Sequence, residues 1–110
     1  MTPKEQNIAI AKVCGWKLVT DDPDYEPYYI SPKNDMLAVD AAYAWMPKYC
    51  SDLNAMHEAE MFLFESYDTL EGSEMLSLYT KFLCGLEHPL FATAAQRAEA
   101  FLRTLNLWTD

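Results

Sequence analysis

A carboxylate stands on the apolar side of the best-signalled helix in this sequence, and nothing else in the chain limits its fold as strongly. The stretch is Pro47-Lys48-Tyr49-Cys50-Ser51-Asp52-Leu53-Asn54-Ala55-Met56-His57-Glu58-Ala59-Glu60. Asp52 is a good N-cap, because its short side chain accepts the free amide hydrogens of a first turn. At 100° per residue Leu53, Met56, Ala59, Leu63, Phe64 and Tyr67 share one broad arc, with Asn54, Glu58, Glu65 and Asp68 opposite. Glu60 falls inside the apolar arc and His57 at its edge. A buried carboxylate must find a cation or donors, or take up a proton. Arg97, on the flank of the last helix, and His57 are the expected partners, forming a buried structural pair that fixes the register of two helices.

With 110 residues, 51% of them hydrophobic, the chain is expected to form one domain over residues 1–110, with a core that needs no metal or disulfide staple. Three widely spaced cysteines, Cys14, Cys50 and Cys84, fit reduced thiols better than a paired framework. The opening Met-Thr-Pro-Lys-Glu-Gln has no apolar signal core, and no apolar run approaches the ~20 residues of a membrane span. A soluble intracellular protein with no membrane partner is expected.

The elements predict an α+β fold, mainly helical, with about five helices and a short two-stranded antiparallel hairpin near the N-terminus. Thr2-Pro3-Lys4-Glu5 is a capping box, and the helix it opens runs to Cys14, with Gly15 as a left-handed C-cap and Trp16 folding back. Trp16–Thr20 alternates with period two, and Tyr28-Tyr29-Ile30 is its antiparallel partner. Between them lies a loop rich in proline and acid. Ser31-Pro32 opens a second helix carrying Met36, Leu37, Val39, Tyr43, Trp45 and Met46, apolar all round the wheel and ended by Pro47. Its Tyr43, Trp45 and Met46 would form an interface patch if exposed. Met61–Phe64 reads as helix or strand, with the wheel favouring helix. Asp68–Ser73 is a break, Glu74–Cys84 a further helix (or strand) closed by Gly85, and Glu87-His88-Pro89 a turn. Thr93-Ala94-Ala95-Gln96 caps the last helix, which pairs Glu99 with Arg103 and presents Ala94, Ala95, Ala98, Phe101, Leu102 and Leu105 on one arc.

The net charge of −9 is unevenly spread. Asp21, Asp22, Asp24 and Glu26 stand without a base between Lys17 and Lys33, and Asp52, Glu58, Glu60, Glu65, Asp68, Glu71 and Glu74 without one between Lys48 and Lys81. Such surfaces repel phosphates and attract basic partners, so direct nucleic-acid binding is not expected. The first group lacks the glycine and closing glutamate of a calcium loop. His57-Glu58 lacks the second histidine of a metalloprotease helix, since position 61 is Met. Cys84 with His88 supplies two metal ligands where zinc needs more. Cys50 with His57 would need an orienting third group and an electropositive setting. No phosphate loop exists, so neither catalysis nor a cofactor is expected.

Residues 47–60 together with Ala92-Thr93-Ala94-Ala95-Gln96-Arg97-Ala98-Glu99-Ala100-Phe101-Leu102-Arg103-Thr104-Leu105 resemble the phage ABA sandwich domain family, and the likeness takes in the first helix and Gly15-Trp16. That resemblance implies an α/β sandwich in a small phage or prophage protein of largely unassigned function; the helical look of residues 68–88 departs from it. It places the protein in a bacterial host cytoplasm. There, an acidic protein of this kind is expected to bind and inhibit a host defence component, as anti-CRISPR proteins do, presenting carboxylates where phosphates would sit. The expected partner is a basic host protein or nucleoprotein complex, met by Asp21, Asp22, Asp24, Glu26, Glu58, Glu65, Asp68 and Glu71 with Tyr43 and Trp45. The alternatives are a protein that sequesters a small ligand such as a nucleotide, and a cryptic enzyme.

Overall fold

A computed structural model describes residues 1–66, 70–85 and 92–109. The elements are α1 (Pro3–Val13), β1 (Lys17–Val19), β2 (Tyr28–Ile30), β3 (Met36–Ala38), α2 (Val39–Trp45), α3 (Leu53–Ser66), α4 (Leu70–Cys84) and α5 (Ala94–Thr104). Among the described residues the fold is therefore α+β, with five helices and one antiparallel sheet in the order β1-β2-β3.

Local chemistry sets most of these boundaries. Thr2 and Glu5 close the reciprocal capping box of α1, and Gly15 leaves the helix at φ 110°. The Trp16 amide reaches the Ala11 carbonyl and the Gly15 amide that of Lys12, which is the Schellman pattern. Asp52 caps α3 by accepting the Asn54 amide at 3.0 Å. Thr93 and Gln96 repeat the capping box at α5.

The third strand corrects the expectation of a two-stranded hairpin. Residues 36–38 pair with β2 and are not the start of a helix. The cause is a turn at 31–35. The Ser31 hydroxyl accepts the amides of Lys33 and Asp35, the Asn34 amide donates to the Ser31 carbonyl, and Asn34 sits at φ 68°. The chain is thus folded back before any helix can form, and α2 is left with seven residues. A second correction concerns α4, which begins at Leu70 and carries Gly72 in its first turn, where a break was expected. A helical glycine costs about 1 kcal/mol, which packing of α4 on α3 and α5 overrides. Residues 61–64 belong to α3. Tyr67 and the turn at 87–89 lie outside the described residues.

Helix α5 is the hub, packing against α1, α3 and α4. Ala98, Phe101 and Leu102 are fully buried, and the small side chain of Ala98 lets neighbouring backbones approach closely. On α3, Met56, Ala59 and Leu63 are buried as the wheel required, whereas Leu53 at the helix start is exposed. The expected α5 arc needs adjusting at its edges. Ala95 is exposed, while Ala100 and Thr104 are buried, the Thr104 hydroxyl donating back to the Ala100 carbonyl at 2.7 Å.

A candidate partner-binding face

Register decides which face of the sheet meets the core. Leu18, Tyr29 and Leu37 lie in one row, and Tyr29 and Leu37 pack into the core. The rows on either side, Lys17-Ile30-Met36 and Val19-Tyr28-Ala38, therefore point the other way. None of those six side chains belongs to the core cluster, and Met36 is half exposed. An antiparallel sheet with one wet face ordinarily shows polar residues there. This one shows valine, tyrosine, isoleucine, methionine and alanine, and only Lys17 is charged.

The same register gathers the acids. The β1–β2 loop and the β3–α2 junction leave the sheet at one end, beyond the Val19-Tyr28-Ala38 row. Asp21, Asp22, Asp24, Glu26 and Asp40 therefore share that end, all exposed except Asp22. Asp22 organises the loop. One of its oxygens accepts the Asp24 amide at 3.0 Å and the other accepts the Tyr28 hydroxyl at 3.2 Å. Burial and the neighbouring Asp22 carboxylate hold the Tyr28 phenol protonated beyond its ordinary range. Tyr25, 60% exposed, meets Tyr28 edge to face at 6.1 Å. Between loop and strand lies a cleft of about 580 Å³ lined by Tyr25, Glu26, Tyr28, Met36 and Asp40 among others. Lys17, Lys33 and Asp35 belong to the opposite end of the sheet, so the acidic excess lies at the loop end.

The remaining expected site residues are distributed differently. Glu58 and Glu65 are exposed on α3 and line no part of this cleft. Asp68 and the side chain of Glu71 lie outside the described residues. Tyr43 and Trp45 do not make one patch, because a 200° step separates them on α2. Tyr43 turns inward, its ring 5.9 Å from that of Tyr29 and under the Lys4 ammonium at 4.2 Å, and Met46 is buried beside it. Trp45 alone points outward. Asp40, which sequence reasoning left out of the site, is exposed and needs no buried partner.

Glu60, Arg97 and His57 meet at the junction of three helices. Arg97 Nη1 lies 3.4 Å from both Glu60 oxygens, and His57 Nδ1 lies 3.6 Å from Oε1. Glu60 is buried at 8% exposure. Tyr79 of α4 joins them; burial and the charge of Glu60 push its hydroxyl well above the ordinary range, with Arg97 opposing. Cys50 turns toward α1, its thiol 3.2 Å from the Gln6 Oε1, and so is not paired with His57. Burial pushes the Cys14 and Cys50 thiols up, away from the thiolate that a nucleophile needs. Among the described residues no three metal-ligating side chains converge, and no helix is long and apolar enough to cross a membrane.

Comparison with protein-family profiles, with curated proteins and with solved structures gave no match to this chain.

Proposed function

We propose that this protein binds a positively charged host macromolecule through the open sheet face, and keeps nucleic acid off it by filling the phosphate-binding surface with carboxylates. The observation that carries this is the apolar outward face of the sheet, with five acids collected at one end of it. An apolar centre with a charged rim is the anatomy of a protein interface, and the sign of the rim selects a basic partner. The setting proposed with it, inhibition of a bacterial defence component in a host cytoplasm, is the one expected from the phage-like reading of residues 47–60 and 92–105. The protein acts by occupancy, without a cofactor or a reaction of its own.

Affinity capture from bacterial lysate tests it. The wild-type chain retains a nucleic-acid-binding effector at low salt and releases it as ionic strength rises. An Asp24→Lys/Glu26→Lys variant with an unchanged melting curve retains at least tenfold less. Equal capture by the two proteins, or capture indifferent to salt, refutes the assignment.

A further inference from the structure

On the opposite side of the sheet, the core-facing Leu37 borders a groove of about 510 Å³ that the sheet-face reading leaves unused. Four aromatic side chains line it, Trp16, Trp45, Tyr49 and Phe62, together with the carboxylates of Asp35 and Glu58 and the ammonium of Lys33. Trp16 and Tyr49 are buried and belong to the core, while Phe62 is part exposed and Trp45 is 73% exposed. Trp45 is the most exposed large apolar side chain among the described residues. Its backbone is fixed by the end of α2, where the Met46 amide closes on the Ala42 carbonyl at 2.8 Å and Pro47 bars continuation.

Aromatic faces carry negative quadrupoles, and carboxylates at the margin of the same groove add full negative charge. Both features favour a cation with an apolar stem and disfavour an anion. Carboxylates outnumber the single lysine two to one. Among protein side chains arginine fits best. Its flat guanidinium stacks on tryptophan and is weakly hydrated, and its fork of donors matches a carboxylate. We infer that this groove receives an arginine side chain of a partner protein, stacked on Trp45 and hydrogen-bonded to Glu58, with its methylenes against Phe62. The groove shares no lining residue with the cleft at the acidic end of the sheet, and its own side chains select the arginine.

Titration with short peptides tests it, read by tryptophan fluorescence and by backbone amide NMR shifts. The peptides are acetyl-Gly-Arg-Gly-amide and its citrulline counterpart, which keeps the shape and hydrogen-bonding plane and loses the charge. The arginine peptide shifts the amides of residues 45–49 and 58–62 and perturbs the fluorescence, and it binds at least fivefold tighter than the citrulline peptide. Trp45→Ala and Glu58→Gln each weaken it threefold or more without altering the melting curve, since both residues are exposed. Asp24→Lys/Glu26→Lys leaves it unchanged, which separates this site from the sheet face. Equal response to the two peptides, or an arginine response that survives Trp45→Ala, overturns the inference.

Discussion

Glu60 shows what one misplaced charge costs and what it secures. Its carboxylate is buried between Arg97 and His57, with Tyr79 completing the cluster, so truncation leaves the Arg97 guanidinium partly buried without its counter-ion. Breaking one side of such a pair costs about 3 kcal/mol. Urea denaturation of Glu60→Ala is expected to show a loss of that order, and the Glu60→Ala/Arg97→Ala double variant a loss smaller than the sum of the singles. Strict additivity contradicts the pairing. A second residue-level effect concerns pH. Burial raises the Cys14 thiol from 9.0, and the Tyr49 and Tyr79 hydroxyls from 10.0, so the folded state holds protons that the unfolded chain gives up. Their contribution to stability is complete below about pH 9 and is lost as pH climbs through the folded values. Denaturation curves from pH 7 to 11 should fall on the alkaline side, and Cys14→Ala/Tyr49→Phe should fall less steeply. Gly15→Ala should cost about 1–2 kcal/mol from its left-handed backbone, since a Cβ there meets Pro32 only at the ordinary contact distance of 3.5 Å.

Elements were legible wherever a local chemical signal marked both ends. The capping boxes at Thr2 and Thr93, the Asp52 cap and the Gly15-Trp16 stop are written in adjacent residues, and the starts of α1, α3 and α5 follow from them. The hairpin partner Tyr28–Ile30 was equally plain. Strand β3 was not, because Met36–Met46 is apolar without clear period and a wheel accommodates any such run. The signal that decides it lay upstream, in Ser31-Pro32-Lys33-Asn34-Asp35, a sequence of turn formers that closes a second hairpin through the Ser31 hydroxyl. Once that turn is recognised, the 200° between Tyr43 and Trp45 separates a core residue from a surface one without further information. The outward sheet face follows too, since Tyr28-Tyr29-Ile30 is apolar in both parities and can satisfy only one of them with the core.

For the molecule as a whole, folding gathers part of an unevenly spread excess of acid at one end of the sheet. Sequence order separates Asp40 from the 21–26 loop by a hairpin, and strand register alone returns it to the same end, while Lys17 and Lys33 go to the other. Charge counting along the chain therefore finds the loop and misses both its companion and the apolar surface beside it. Of the α3 carboxylates, equally prominent in the sequence, Glu60 is buried against Arg97 and Glu58 borders the aromatic groove. An acidic end beside an apolar sheet face outside the core cluster is what a competitor of phosphate requires, since charge guides encounter and buried apolar area holds the complex. Displacement decides the matter. The captured host complex is loaded with labelled nucleic acid, and release is followed as this protein is added. Wild type is expected to displace the nucleic acid, with Asp24→Lys/Glu26→Lys needing at least tenfold more protein for the same release. Nucleic acid that stays bound at saturating protein, or equal displacement by the charge-reversed variant, contradicts occupancy of the phosphate surface.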